Sequence, residues 1–158
     1  MRGARLGVPR AVVLRTEGGA RLQGPYAGRE MPPARLLTAD VSDTRTPVVV
    51  AARRTPVGTV GGSLRSLDAV GLAAPVLRAL VGDLRSLGAD VPVDEVVLGN
   101  CMGPGGDPAR VSALAAGLGV DVPGLTVDRQ CGSGLDAIGV AARTLVHGAD
   151  LVLAGGVE

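Results

Sequence analysis

The chain has 158 residues, of which 46% are hydrophobic and 20% charged, proportions typical of a protein that folds around one apolar core. Its formal net charge is only +1 and its one aromatic residue is Tyr26, so we expect neither a general attraction to nucleic acid nor stacking of single-stranded bases. No apolar run approaches the roughly 20 residues that span a bilayer, so we expect no membrane association.

Residues 1–46 are rich in Arg, Gly and Pro and show no sustained hydrophobic period. This composition predicts a poorly ordered extension, followed by a folded domain over residues 47–158. Two explanations of the first 30 residues stay open: an Arg-rich organelle transit peptide, or an upstream artefact with translation starting at Met31. All 16 basic residues are Arg, which indicates GC-rich coding and favours a bacterial, cytoplasmic protein over an organellar one.

From residue 47 onward, short apolar runs alternate with helical patterns, as in a parallel sheet covered by helices. The β-branched run over residues 48–52 predicts a first strand. After a glycine-rich loop, apolar residues at spacings of three and four predict a helix that Asp68 caps and that ends before Gly88. Pro75 within this pattern implies either a kink or a later start near Ala74.

Three more strands and two more helices follow in alternation. The predicted ranges are residues 93–100 (strand), 107–119 (helix, with Pro108 in its first turn), 125–130 (strand), 132–148 (helix) and 149–156 (strand). The predicted fold class is therefore α/β, with the order βαβαβαβ and a mainly parallel sheet.

Cys131 stands where the third predicted strand gives way to the third helix, within the sequence DRQCGSGL. A helix N-terminus carries unpaired N–H groups and a partial positive charge, which stabilise a thiolate and favour a nucleophilic role for this cysteine. Gly132 and Gly134 lack the Cβ atoms that would crowd a ligand, and Ser133 could either cap the helix or hold the loop. A small residue packed at a tight turn is the structural alternative.

DRQCGSGL closely resembles the nucleophile motif of the thiolases, the acetyl-CoA acyltransferases. Four further stretches resemble thiolase segments in the same order: ARRTPVGTVGGSL, VDEVVLGN, GDPAR and DLVLAGGVE. The resemblance covers residues 47–158, the front part of the family's N-terminal domain.

The resemblance implies that Cys131 takes an acyl group from an acyl-CoA or 3-ketoacyl-CoA as a thioester and passes it to CoA or acetyl-CoA. Coenzyme A thioesters would then be substrates, with no permanently bound cofactor and a role in fatty acid metabolism. It also implies a homodimer or homotetramer that pairs near the third strand, where Asp128 and Arg129 could form an ion pair or a dimer contact.

Thiolases contain a later catalytic histidine and a second cysteine that this sequence does not show, so the resemblance implies a fragment with weak or no activity of its own. Two alternatives stay open. The first is a β-ketoacyl synthase-like condensing enzyme, against which Gly132 argues, and the second is a non-catalytic binding subunit with the same fold.

The remaining candidate residues favour structural roles. Cys101 follows the second strand at a position where thiolases carry small or apolar residues, so packing is expected, with a redox or site role as the alternative. His147, the only histidine, is expected to lie at the surface or cap the third helix. Two cysteines and one histidine without ligand spacing predict no metal site.

Overall fold

The structure, a computed structural model, describes residues 12–13, 46–86, 88, 90–103 and 105–158. Its elements in chain order are β1 (Val12–Val13), α1 (Ala69–Ser86), β2 (Glu95–Gly99), α2 (Pro108–Ala115), β3 (Gly124–Val127), α3 (Ser133–Val146) and β4 (Val152–Gly156). None of the helices described combines the length and the apolar content that a bilayer-spanning helix needs.

The strands form one parallel sheet in the order β1-β4-β2-β3. In this register Gly99 of β2 lies beside Gly156 of β4 on one side and Val127 of β3 on the other. The carboxyl ends of these three strands therefore meet at one edge of the sheet. The predicted α/β class and its parallel sheet are confirmed.

The predicted first strand over residues 48–52 is wrong, because this segment pairs with no strand of the sheet. The neighbours of β4 are β1 and β2, so no free edge beside β4 is left for it. Val50 and Ala51 pack against the core instead, while Val49 is 62% exposed. The β-branched run over residues 48–52 is thus an irregular segment that packs partly against the core.

The strand β1 lies within the segment that the sequence predicts to be a poorly ordered extension. Val12 and Val13 pair with Leu153 and Ala154 of β4, and the poor order expected of the extension as a whole stays a prediction. The rest of residues 1–45 lies outside the described residues, and the division at residue 46 stays a prediction.

Helix α1 begins at its predicted cap and continues through its proline. The Asp68 Oδ1 atom accepts a hydrogen bond from the Gly71 N–H at 2.7 Å, which satisfies one of the unpaired donors of the first turn. Pro75 lies inside the helix on its exposed side, so the later start near Ala74 does not occur. The helix ends at Ser86, and Gly88 follows with a φ of +79°.

Two apolar layers cover the two faces of the sheet. On one face α1 and α2 pack against Val96, Leu98 and Leu153, and on the other face α3 packs against Val97 and Val152. Successive residues of a strand point to opposite faces, so each of these strands supplies both layers. This explains why the strands are apolar without alternation in sequence.

Glycines let the N-terminus of α3 rest directly on the strands. A Cβ added to Gly99 would lie 2.3 Å from the carbonyl carbon of Ser133, and one added to Gly156 would lie 2.9 Å from the Cα of Gly134. These distances are too short for real carbon–carbon contacts, so only glycine fits at these positions without a shift of the backbone.

We expect Gly99→Ala to lower the free energy of unfolding by about 1–3 kcal/mol or more, because the new methyl group overlaps backbone atoms that cannot rotate away. Gly82→Ala is the matched control, since Gly82 lies in α1 with open space around it and Ala there should stabilise by roughly 0.5–1 kcal/mol. Urea unfolding measures both. Equal midpoints for the two variants would contradict the close contact.

An ion pair ties the irregular segment after residue 52 to α1. Arg53 donates two hydrogen bonds to the Asp83 carboxylate, at 2.6 and 2.7 Å. These bonds, opposed by partial desolvation and aided by the charge of Arg53, hold the pKa of Asp83 below its ordinary value. Because the folded state favours ionised Asp83, the pair stabilises the fold above the ordinary carboxyl pKa. This contribution is lost as pH falls through the lowered pKa.

Asp83→Asn should therefore lower the melting temperature slightly at pH 7. It should leave the melting temperature unchanged at a pH at which Asp83 is protonated in both the folded and the unfolded protein. Asp90→Asn is the control, because the Arg85–Asp90 pair is 3.9 Å long and Asp90 is almost fully exposed. Thermal melts of both variants at several pH values measure the difference. A loss for Asp83→Asn that persists in acid would show that the ion pair is not its cause.

Candidate active site

Cys131 is exposed and directly precedes Gly132, the N-cap of α3. The strand β3 ends at Val127, three residues earlier than the predicted end at residue 130. Cys131 therefore lies within a short turn, which we call the cysteine turn (residues 128–133), rather than on the strand. Its position at the N-terminal end of α3 is as expected from the sequence.

Ser133 holds the cysteine turn and does not cap the helix. It is buried, its Oγ donates to the Gln130 carbonyl oxygen at 2.6 Å, and the same Oγ accepts from the Arg129 N–H at 2.8 Å. The N-cap residue Gly132 makes no side-chain capping bond. The sequence left two roles open for Ser133, capping the helix or holding the loop. In the structure Ser133 holds the loop.

The two glycines of the motif have different surroundings. A Cβ at Gly132 would lie 3.3 Å from the Arg129 carbonyl oxygen, whereas a Cβ at Gly134 would make only ordinary contact with Gly156 at 3.5 Å. The close approach therefore depends on the missing Cβ of Gly156, which would lie 2.9 Å from the Gly134 Cα atom, and not on that of Gly134. That these glycines leave room for a ligand stays a prediction.

The loop after β2 lies beside the end of β4 and is joined to it by polar bonds. The buried Asn100 side chain donates to the Val157 carbonyl oxygen at 2.8 Å and accepts from the Gly103 N–H at 3.1 Å. The Glu158 carboxylate accepts from the N–H groups of Cys101 at 2.6 Å and Met102 at 3.0 Å. These bonds fix the loop that carries Cys101.

The environment of Cys101 disfavours its thiolate. Desolvation first, and then a hydrogen bond and the negative charge of Glu158, raise the pKa of the Cys101 thiol, and Asp128 and Cys131 add smaller electrostatic effects. Those effects indicate that Cys101 and Cys131 share one region at the carboxyl edge of the sheet. Both cysteines are free, and Cys101 is the less accessible.

The other predicted candidates lie apart from this chemistry. His147 is the C-cap of α3, and since that helix has 14 residues, the imidazole lies about 20 Å from the N-terminal end that Cys131 occupies. Arg129 pairs with Asp136 at 3.3 Å and not with Asp128, whose carboxylate accepts from the Gln130 N–H instead. Residues that the sequence alone did not indicate are Asn100, Gln130 and Glu158.

An apolar cavity of about 140 Å³ lies between the N-terminal ends of α1 and α2. Its lining residues are Asp68, Ala69, Val70, Gly105, Pro108 and Val111. None of them belongs to the cysteine turn.

The sequence model of the family described as "Thiolase, N-terminal domain" matches residues 47–158. The match covers more than half of the chain and includes the cysteine turn, β2 and β4. The chain therefore belongs to the thiolase family and corresponds to an N-terminal part of it.

Curated relatives and a solved structure agree with this assignment. The chain is 47% identical over 112 residues to the Bacillus subtilis (strain 168) protein named "Putative acetyl-CoA C-acetyltransferase YhfS". It is also 43% identical over 115 residues to the Staphylococcus epidermidis (strain ATCC 12228 / FDA PCI 1200) protein named "Putative acetyl-CoA C-acetyltransferase VraB". The crystal structure of the Bacillus anthracis acetyl-CoA acetyltransferase matches with a TM-score of 0.58 and 42% identity.

These matches cover most of the present chain and a smaller share of each relative. The alignment with the B. subtilis protein covers 70% of this chain and 29% of that protein. For the S. epidermidis protein the shares are 72% of this chain and 30% of the relative, and for the B. anthracis structure they are 65% of this chain and 26% of that structure's chain. The chain thus spans less than a third of the length of these relatives. The relatives are named as acetyltransferases, so the β-ketoacyl synthase alternative gains no support from them.

We expect iodoacetamide to alkylate Cys131 at least about tenfold faster than Cys101 at pH 7, because Cys131 is exposed at a helix N-terminus whereas Cys101 is half-buried with a raised pKa. Labelling of Cys101 should keep increasing at pH values higher than those expected for an ordinary thiol, since its pKa is raised. Peptide mass spectrometry of a time course measures both rates. Equal rates, or faster labelling of Cys101, would contradict the assignment.

Glu158→Gln provides a control that acts on one cysteine only. Removal of the carboxylate charge should lower the pKa of Cys101 and speed its labelling severalfold at neutral pH, although burial, the largest cause of the shift, remains. Labelling of Cys131 should stay within about twofold. Asp121→Asn, at an exposed acid that is not among the causes of the shift, should change neither rate.

Proposed function

We propose that this chain is the nucleophile-bearing segment of a thiolase-type acyltransferase, with Cys131 as the acyl carrier. The observation that carries the proposal is an exposed cysteine directly before the N-cap of α3, within the region that matches the thiolase N-terminal domain. The substrates would be acyl-CoA or 3-ketoacyl-CoA as donor, and CoA or acetyl-CoA as acceptor.

In the first half-reaction the Cys131 thiolate attacks the carbonyl carbon of the acyl-CoA thioester. A new carbon–sulfur bond forms, the carbonyl electron pair moves onto oxygen, and collapse of this intermediate expels CoA as a thiolate that takes up a proton. With a 3-ketoacyl-CoA as donor, the thiolate attacks the 3-keto carbon instead, and collapse of the intermediate breaks the bond between C2 and C3. Acetyl-CoA leaves as its enolate, which takes up a proton at C2. The second substrate then accepts the acyl group from Cys131.

The elements around Cys131 support this role electrostatically. The N-terminus of α3 carries a partial positive charge, which stabilises both the sulfur anion and the negative oxygen that develops during attack. The missing Cβ atoms of Gly99 and Gly156 let this helix end rest against the sheet, so the charge is fixed in place before a substrate binds. Preorganised charge of this kind is a major contribution to catalysis.

Other features of the proposal rest on the sequence and the family. The chain's only histidine is at the far end of α3, so we propose that the group that takes the thiol proton lies outside residues 46–158. The homodimer or homotetramer, the cytoplasmic location and the role in fatty acid metabolism stay predictions. The alternative is a non-catalytic binding subunit. The absence of an acetyl adduct in the following experiment would favour it.

Prolonged incubation of the chain with acetyl-CoA and no acceptor should place one acetyl group on Cys131, since the thioester forms before a second substrate is needed. The reaction should be slow without a general base, so a time course of hours is required. Intact and peptide mass spectrometry locate the adduct, and its loss in neutral hydroxylamine identifies a thioester.

Two matched variants decide which thiol reacts. Cys131→Ser should lose the adduct, because an alcohol stays protonated where the helix end can stabilise a thiolate, and Cys101→Ser should keep it. A further form of the test replaces the corresponding segment of the B. subtilis relative with residues 47–158 and measures thiolysis. A folded hybrid that binds acetyl-CoA and never becomes acetylated would overturn the proposed function.

A further inference from the structure

Gln130, the residue before the nucleophile, has an unusual backbone conformation. Its φ is +49°, and among the described residues it is the one non-glycine residue with a positive φ. This left-handed region is disfavoured for residues with a Cβ, and such conformations persist only where the surroundings hold them. The exposed Gln130 side chain offers no packing that would explain the conformation.

Hydrogen bonds hold the Gln130 backbone at both of its polar groups. On one side, the Asp128 Oδ1 atom accepts from the Gln130 N–H at 3.0 Å and from its Nε2 at 3.3 Å. On the other side, the Gln130 carbonyl oxygen accepts from the Ser133 Oγ at 2.6 Å and from the Ser133 N–H at 2.9 Å. The conformation is therefore fixed by residues on either side of Cys131.

The bonds of the cysteine turn run around Cys131 and do not use its thiol. The Gly132 N–H donates to the Arg129 carbonyl oxygen at 3.0 Å, and the buried Ser133 hydroxyl bonds Arg129 as well as Gln130. The chain thus reverses between β3 and α3 over very few residues. The thiol takes part in none of these bonds, and Cys131 is exposed at the helix end.

We propose that Gln130 is a positioning residue for the thiol of Cys131, and that its left-handed backbone, held by Asp128 and Ser133, keeps the sulfur at the positive end of α3. The inference rests on the proposed function, in which Cys131 is the nucleophile. If Gln130 moved to an ordinary extended conformation, the reversal would open and Cys131 would move away from the helix end. The thiolate would then lose the stabilisation by the helix end.

Substitutions at position 130 separate backbone conformation from side-chain chemistry. Asn tolerates the left-handed region, Ala adopts it with difficulty, and β-branched Val is strongly disfavoured there. All three replace an exposed side chain, so core packing is unchanged. The second-order rate constant for iodoacetamide alkylation of Cys131 is the readout, with Cys101 as an internal standard and the melting temperature as a check on folding.

In the 158-residue chain we expect Gln130→Val to slow alkylation of Cys131 about fivefold or more, and Gln130→Asn to stay within about twofold of the unsubstituted chain. Alkylation of Cys101 should stay constant in both. Because Asn keeps the carboxamide that bonds Asp128, Gln130→Gly is the deciding variant. Gly adopts the left-handed region with no side chain, so a rate within about twofold for Gly is the result that a role of the glutamine side chain would not give. If Val prevents folding, Gln130→Ala replaces it, with an expected slowing between those of Asn and Val.

Ser133→Ala tests the group that holds the strained residue. Loss of the Ser133 hydroxyl should also slow alkylation of Cys131. Both substitutions act on the same reversal, so the double variant Gln130→Val, Ser133→Ala should react at nearly the same rate as the slower of the two single variants. Independent, multiplicative effects in the double variant would overturn the coupling between the two residues. If Ser133→Ala does not fold, the series at position 130 decides alone.

Two results at position 130 would overturn the inference: equal rates for Val, Ala, Asn and Gln, or an equal loss for Asn and Val. Failure of the proposed function is distinguishable from either, because alkylation needs no acetyl-CoA. A chain in which Gln130→Val slows alkylation, but Cys131 of the unsubstituted protein is never acetylated, would keep the positioning role and lose the acyltransferase role.

Discussion

The fold and the site both depend on one close contact, in which the backbone at the N-terminus of α3 rests on the backbones of β2 and β4. Gly99 and Gly156 meet Ser133 and Gly134 with no side chain between them. Because protein interiors are close-packed, this contact leaves α3 little freedom to slide along the sheet. It places the positive end of the helix at the sheet edge where three parallel strands end, the usual location of ligand sites in such folds. Cys131 has its position because of this contact.

Polar bonds at the same edge explain why the two cysteines differ. Asn100 and Glu158 join the loop after β2 to the end of β4, and the carboxylate that makes this connection lies beside Cys101. Burial, and then the negative charge of Glu158, raise the pKa of the Cys101 thiol, whereas Cys131 lies exposed at a helix end of opposite sign. One set of structural bonds therefore favours reaction at one sulfur over the other.

Local patterns were sufficient to predict the features that depend on a few neighbouring residues. The alternating order, the cap at Asp68 and the location of Cys131 before α3 all follow from periodicity and turn chemistry, and the thiolase family from linked motifs. Residues 48–52 show the limit, because a β-branched run looks the same whether it pairs in a sheet or packs beside one. The Glu158 contact joins residues 57 apart, and a left-handed φ at Gln130 depends on bonds that residue type does not reveal.

The titratable groups near Cys131 also indicate which part of the chemistry this segment supplies. The carboxylates at this edge, Asp128 and Glu158, carry the same sign of charge as a thiolate. His147 is about 20 Å away at the other end of α3. In the proposed function, residues 46–158 thus provide the position of the nucleophile and the helix end beside it, and we infer that proton transfer depends on a group from elsewhere in the fold.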